Sequence, residues 1–205
     1  MSKYLGSWQK KARALGFSFR RNKQEFSRGK KRTTPPGIHG NKRKRSSPHA
    51  VKLKEKQKFK YGYGWRNKQV KSEYIKAREK AVDAGFNLLI RSESRLDKLV
   101  FLSGLTNTLP FAREWVSHGH FLVNGRKVKT PSCKIEPGQV ISLKKEKMKE
   151  NKLIKSNLEK NSKVPPYLVF DKQKLTITYE RYPRPEELDK DIDTNSVVEW
   201  FSRRI

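Results

Sequence analysis

The chain is short of nearly everything that builds a metal centre, a disulfide framework or a large catalytic interior. Among its 205 residues there is one cysteine, Cys133, so no internal disulfide can form. One thiol and four scattered histidines (His39, His49, His118 and His120) do not assemble a cysteine-rich zinc site. No metal or other cofactor is expected. Cys133 lies in Thr130-Pro131-Ser132-Cys133-Lys134, where no motif activates a thiolate, and it reads as a small packing residue. No run of about 18 apolar residues occurs, which excludes a membrane-spanning helix. The opening Met1-Ser2-Lys3-Tyr4-Leu5-Gly6 has no apolar signal region, and with the lack of disulfides this fits a reducing interior. Apolar residues make up 34% of the chain, against roughly 45–50% in an ordinary soluble domain. Acids are scarce as well: 20 aspartates and glutamates face 49 lysines and arginines, for a formal net charge of +29. A chain so charged repels itself and calls for a polyanionic partner, of which nucleic acid is the first choice.

The charge is unevenly spread. Residues 1–80 hold 26 basic and four acidic residues, net +22, while residues 81–205 hold 23 and 16, net +7. Near the end the balance reverses, with seven acids against three bases over residues 180–199. Residues 1–45 are rich in glycine, serine and basic blocks such as Lys30-Lys31-Arg32 and Lys42-Arg43-Lys44-Arg45. Low hydrophobicity with high charge predicts an arm that is mobile alone and orders against phosphates. Within it, Pro35-Pro36 fixes an extended backbone and Gly37 and Gly40 permit close approach to another surface. That suits either a rigid loop laid on RNA or an ordinary turn.

A helix is predicted next, with Ser47 as its cap and Pro48 at its first position. Lys52, Lys54, Lys56, Lys58 and Lys60 alternate, but the Ala, Leu, Glu, Gln and Lys around them favour helix, and on a helix the lysines fan over much of the surface. Tyr61-Gly62-Tyr63-Gly64-Trp65 ends it with three aromatics, which either stack on exposed bases or fill the core. Residues 66–84 predict a second helix, with Val70, Tyr74, Ala77 and Ala81 on one buried face and Gly85 as its stop.

Residues 93–143 predict a small module. Ser94-Arg95-Leu96-Asp97 matches a capping box, Leu96, Leu99 and Val100 face inward, and Gly104 ends the helix. Thr108 caps a second helix with Pro110 in its first turn; Ala112, Trp115 and Val116 face inward and Gly119 ends it. Asn124-Gly125 between two strand-like runs predicts a type I′ hairpin, and Gln139–Leu143 alternates as a further strand. Two short helices thus pack on a small antiparallel sheet. Arg95, Lys98, Arg113, Arg126, Lys127, Lys129 and Lys134 are left for its exposed surface.

The residues of this module closely resemble the RNA-binding module named after small-subunit ribosomal protein S-four. The segments that carry the likeness are Ser94–Val100, Ala112–His120, Val123–Val128, Pro131-Ser132 and Gly138–Ile141. Three further stretches resemble the ribosomal protein family itself: Pro35–Gly40, Lys52–Lys58 with Tyr61-Gly62, and Val197–Arg203. Where the family has an asparagine after Arg-Leu-Asp this chain has Lys98, and it lacks the zinc-binding cysteines that some members carry.

The resemblance implies an α+β fold. A mainly helical domain at 46–92 is completed by the returning end at 186–205, an inserted α+β domain at 93–185 holds the module at about 93–143, and a basic, extended, rRNA-binding arm occupies 1–45. It implies a primary binder of small-subunit rRNA that nucleates assembly of the subunit body, neighbours small-subunit proteins three and five near the path by which mRNA enters, and influences decoding accuracy. The place implied is the ribosome, in bacterial cytoplasm or an organellar matrix or stroma. The rRNA-binding set drawn from charge and resemblance is Arg32, His39, Arg43, Lys44, Lys52, Lys54, Lys56, Lys58, Tyr61, Arg66, Lys68, Arg95, Lys98, Arg113, His118, His120, Asn124, Arg126, Lys127, Lys129 and Lys134.

Residues 144–163 offer only Met148, Leu153, Ile154 and Leu158 as apolar anchors, too sparse for deep burial. Val164–Phe170 opens an extended stretch, and Leu175–Tyr179 predicts a strand. The acidic 186–193 patch suits either a protein neighbour or a solvated turn. Two alternatives carry the same module: a regulatory RNA-binding factor, and an RNA-modifying enzyme such as a pseudouridine synthase, which Arg95-Leu96-Asp97 superficially suggests. No Ser/His/Asp set, phosphate-binding glycine loop or paired carboxylates support catalysis, so no enzyme is expected.

Overall fold

The computed structural model describes residues 4, 6–19, 34–40, 42, 45–79, 83–144, 154, 156–158, 164–188 and 191–203. The chain divides into two compact units, one running to Asn67 and taking up the chain end from Asp191, the other spanning Lys68–Lys190. In this division the two helices between residues 67 and 93 fall in the second unit.

In the first unit, α1 (Trp8–Leu15) starts where the Ser7 hydroxyl accepts from the Lys10 N–H and stops at Gly16, whose φ of 62° suits glycine. Its presence corrects the expectation of an arm extended throughout 1–45. Ala12, Leu15 and Phe17 are buried at 0%, 4% and 7% exposure, enough apolar contact to hold one short helix on the next. Residues 34–40 form an exposed turn in which Gly40 N–H donates to Gly37. A Cβ on Gly40 would overlap the Pro35 carbonyl, so the close approach made there is to the chain itself.

Helix α2 (Pro48–Gly62) begins as predicted, with Ser47 accepting from the Ala50 N–H and proline in the first turn. Tyr63 and Trp65 turn into the core beside Phe59, settling two of the three aromatics as packing residues. The returning end forms the final helix, α7 (Thr194–Ser202), which packs Val197, Trp200 and Phe201 along α2. The Asp193 carboxylate caps α7, and the Asp193 N–H donates to the buried Glu55 carboxylate on α2.

The second unit opens with α3 (Asn67–Arg78), which buries Val70, Tyr74 and Ala77 as the periodicity predicts; Ala81 lies outside the described residues. Gly85 is not a stop. The Asp83 carboxylate accepts from the Gly85 and Phe86 N–H groups and starts α4 (Ala84–Glu93), with Gly85 buried in the first turn. A carboxylate that satisfies two otherwise orphaned N–H groups outweighs the helix-ending tendency of glycine two residues on.

Helices α5 (Leu96–Leu102) and α6 (Leu109–Ser117) pack together. The capping box at Ser94 does not form. Arg95 holds the cap position without a side-chain cap, while the Ser94 hydroxyl bonds the Ile90 carbonyl and the Tyr179 phenol. The first N–H groups of α5 are instead taken by the backbone of a later segment. Leu96 N–H donates to the Cys133 carbonyl, Asp97 N–H to Pro131, and Ile135 N–H returns to Ser94. With those donors satisfied, a side-chain cap has nothing left to do.

The five-stranded antiparallel sheet runs β2 (Arg126–Lys127), β1 (Phe121–Val123), β3 (Val140–Leu143), β5 (Thr176–Tyr179), β4 (Leu168–Asp171). Asn124 and Gly125 take φ values of 46° and 78°, the two positive angles a type I′ turn requires. Ile154 corrects the reading of 144–163: it is fully buried against the sheet and helices, and Asn157 nearby donates to the Leu105 carbonyl. Met148 and Leu153 lie outside the described residues. Tyr167 and Tyr179 close the core. Burial pushes the Tyr179 phenol up to about 12, and burial together with Glu93 drives that of Tyr167 higher still.

A single 3₁₀ turn, Pro185–Glu187, ends this unit. Glu187 accepts from the Arg181 guanidinium and the Arg184 N–H, which hold its carboxyl down at about 2. Glu187 and Asp193 are thus engaged within the chain, and the acidic patch around them is partly structural.

Two outcomes follow from these local arrangements. Replacing Asp83 with Ala should lower stability by about 1 kcal/mol in urea denaturation, the usual cost of removing an N-cap carboxylate. Glu187 should titrate near pH 2 by carboxyl NMR, and Arg181→Ala should return it toward its ordinary 4.5. Because its folded value is the lower one, its stabilising contribution is complete above about pH 4.5 and fades as pH falls toward 2.

Candidate nucleic-acid interface

The best-assembled basic face of the second unit lies where α6 ends and the β1–β2 hairpin begins. His118 is exposed at the end of α6, and His120 is half-buried with its ring 6.0 Å from that of His118 and edge-on to Trp115. Between them Gly119 turns the chain at a φ of 73°. A Cβ at Gly119 would lie 2.5 Å from Lys127 Cε and 3.2 Å from Lys129 Cγ, so both lysine stems cross the chain at this glycine. The carbonyls at the end of α6 favour cations there. Arg126, Lys127 and Lys129 are exposed, with Asn124 at the hairpin tip. The Asn124 side chain also has a structural task, since its carbonyl oxygen accepts from the Val140 N–H at 2.9 Å. Here the fold brings together His118, His120, Lys127 and Lys129, with Arg126 on the same hairpin.

Four other cations expected on the module surface are placed differently. Arg95 is 4% exposed, and its guanidinium meets the buried Asp97 carboxylate with two bonds of 2.9 and 2.7 Å. Arg113 brings its Nε to 3.5 Å from the same carboxylate, with its side chain 22% exposed. Lys98 reaches Glu93 at 3.3 Å. Lys134 donates to Glu73 at 2.6 Å, and the same oxygen accepts from Arg91 at 2.7 Å. Burial raises the Glu73 carboxyl, but the Lys134 and Arg91 bonds outweigh it and leave the group below its usual range. Burial lowers Lys134, partly offset by its bond to Glu73. The stretches flanking these cations predict outward placement. Glu73 and Glu93 sit on earlier helices, where no local pattern links them to the module.

In the first unit the α2 lysines do fan out. Lys54 is exposed, Lys52 pairs with Glu199, and Lys58 bonds Glu55 at 2.8 Å. Lys56 donates to Asn67 at 3.2 Å and lies 5.4 Å from the Trp200 ring centroid. His39 and Arg66 are exposed, and Tyr61 is half-buried among aromatic rings. Arg32, Arg43 and Lys44 lie outside the described residues.

Lys71 and Lys76, which the set drawn from the sequence does not include, are exposed beside Lys68 on α3 with Ser72, Ile75 and Glu79. A signal for them existed: they occupy the helical stripe complementary to Val70, Tyr74 and Ala77. Cys133 is half-buried and packs against the core, as its reading as a packing residue requires. Among the described residues, no three His, Cys, Asp or Glu side chains are grouped to hold a metal ion, and no helix is long and apolar enough to cross a membrane. The chemistry this arrangement offers is attraction of phosphate by exposed lysine, arginine and histidine.

Comparison with known proteins bears on what these faces serve. A family model described as the S4 domain matches residues 94–141, and one described as the ribosomal protein S4/S9 N-terminal domain matches residues 3–93. The chain is 42% identical to small ribosomal subunit protein uS4 of Mesoplasma florum, with 100% of both chains covered. It is 43% identical to the uS4 of Ureaplasma urealyticum, with 99% of each covered, and 40% identical to that of Brevibacillus brevis, with 99% of this chain and 100% of the relative covered. With the S4 match falling on the helix pair and sheet that carry the basic hairpin, and with full-length likeness on either side of it, the chain belongs to the family of small ribosomal subunit protein uS4.

Proposed function

We propose that this chain is a structural protein of the small ribosomal subunit that binds the subunit's rRNA directly, joins early, and nucleates assembly of the body. The observation that carries this reading is the exposed hairpin face of Arg126, Lys127 and Lys129 beside His118, built within the segment that matches the S4 domain. Lysine and arginine displace counterions from phosphate and supply affinity. Specificity comes from RNA shape, because the deep major groove of A-form RNA hides base edges. The finer reading places the chain on the ribosome in bacterial cytoplasm, beside small-subunit proteins three and five near the path of incoming mRNA, where it influences decoding accuracy.

The alternatives have less to stand on. Asp97, the residue that evokes an RNA-modifying aspartate, is 1% exposed and held by Arg95, so it does not reach a nucleotide. A free regulatory factor does not account for the likeness to ribosomal relatives over the whole chain.

Two measurements test the proposal. Arg126→Glu with Lys129→Glu should weaken binding to a small-subunit rRNA fragment at least tenfold, with helical circular dichroism unchanged. The salt slope should fall by about 0.7–0.9 log units for each phosphate that is no longer neutralised. Unchanged affinity removes this face from the interface. Arg113→Glu is a poor substitute, because it sets a second carboxylate beside buried Asp97 and should lower the melting temperature. On a sucrose gradient the chain should travel with small subunits; recovery only among free proteins would instead favour the regulatory reading.

A further inference from the structure

In the first unit four aromatic rings gather where α1 meets the end of α2. Tyr4 and Trp8 lie 5.0 Å apart between centroids, Tyr4 and Tyr61 5.3 Å, and Trp8 and Phe19 5.4 Å, all edge-on. All four are half-buried, whereas Phe59, Tyr63 and Trp65 of the same unit are exposed by only 0%, 2% and 4%. The core of this unit is therefore already supplied with aromatics, and the outer four keep part of their surface in water. Gly6 makes room for the arrangement: a Cβ there would lie 2.6 Å from Tyr4 Cζ, so the ring folds back over the glycine. Lysines attend the rings. Lys11 Nζ is 5.8 Å from the Tyr4 centroid and 5.2 Å from that of Tyr61, and Lys60 Nζ is 4.8 Å from Tyr61.

We propose that this cluster is a stacking platform for an unpaired base in single-stranded RNA, with Lys11 and Lys60 meeting the phosphates beside that base. Edge-on packing lets one ring brace another while each keeps part of its surface exposed, and a planar base stacks on such a ring once the flexible Lys11 and Lys60 side chains, which lie over Tyr4 and Tyr61, swing from the ring to the phosphates. Every base has a π-face, so a platform of this kind tolerates sequence. It demands an unstacked base, which a continuous duplex does not offer. Ammonium groups about 5 Å from the rings are close enough for a stacked nucleotide's own phosphate to reach them. The proposal rests on the rRNA-binding reading and adds a second mode to it: base stacking by α1 and α2, beside phosphate contact by the S4 module. Tyr61 alone of these residues stood in the set drawn from the sequence.

The tryptophans make the platform readable in the full-length protein. Trp65, Trp115 and Trp200 are exposed by 4%, 9% and 7%, which leaves half-buried Trp8 as the indole most open to a ligand. Titration with single-stranded oligoadenylate should quench tryptophan fluorescence saturably, an RNA duplex of equal length should not, and Trp8→Phe should abolish the change. Tyr61→Leu, which keeps apolar bulk and every charge, should weaken oligoadenylate binding about tenfold. Tyr4→Leu, placed ahead of α1, should do the same and stands in if Tyr61→Leu loses helix by circular dichroism. Equal quenching by duplex, quenching that survives Trp8→Phe, or ring variants with wild-type affinity would overturn the platform. Binding of a small-subunit rRNA fragment, run in parallel, separates the two readings: if it persists while single strands show no preference, the platform alone fails, and if it is absent the rRNA-binding reading fails with it.

Discussion

The helix pair of the second unit is joined to its sheet through residues 94–97, and most of what that unit does depends on this joint. Arg95 and Asp97 are both withdrawn from water, which is expensive for two charges unless each finds full compensation. The compensation is geometric. The guanidinium fork meets both carboxylate oxygens, and the flanking backbone exchanges bonds with Pro131, Cys133 and Ile135 on the far side of the hairpin. These bonds seat the start of α5 against a segment more than thirty residues later. Helix α5 in turn packs on α6, beyond whose end Lys127 and Lys129 cross Gly119.

A chain of net charge +29 could present its cations as a uniform coat; this one sorts them. Arg95, Lys98 and Lys134 meet carboxylates of their own unit, and Lys52 and Lys58 meet Glu199 and Glu55. The Lys52, Lys98 and Lys134 pairs tie one element to another, and each of the five leaves one fewer uncompensated charge for a polyanion. Arg126, Lys127, Lys129 and Lys54, together with the Lys68, Lys71 and Lys76 stripe of α3, remain exposed. The scarcity of acids gives those present a disproportionate role: Glu73 and Asp97 each gather two cations, and Glu187 holds the Arg181 turn.

Local signals carried the fold a long way. Ser47-Pro48 marks the start of α2, Val70, Tyr74 and Ala77 mark the buried face of α3, and Asn124-Gly125 marks the hairpin. In each case the required chemistry lies within a few adjacent residues. The misreadings came where a distant partner or a stronger neighbouring signal prevailed. Gly85 yielded to the Asp83 cap, Ser94 gave up its capping role to backbone carbonyls near residue 132, and Ile154 found a core that its own polar surroundings do not announce. Of the site, the hairpin cations were legible because turn chemistry sets them on an exposed loop. The inward fate of Arg95 was not, because Ser94-Arg95-Leu96-Asp97 satisfies the pattern of a capping box equally well.

By itself the sequence determined that this protein needs a polyanion, that its charge is concentrated in the first two-fifths of the chain, and that a compact module of two helices and a hairpin lies in its middle. Composition and short-range spacing suffice for such statements, since net charge is additive and turn and helix preferences act over a few residues. Only the tertiary structure decided which cations face outward, that α1 folds within the basic segment, and that four aromatic rings gather around Lys11 and Lys60. Those outcomes depend on which side chains meet across long separations, and a carboxylate or a ring brought from elsewhere in the chain changes what a lysine or tyrosine is free to bind.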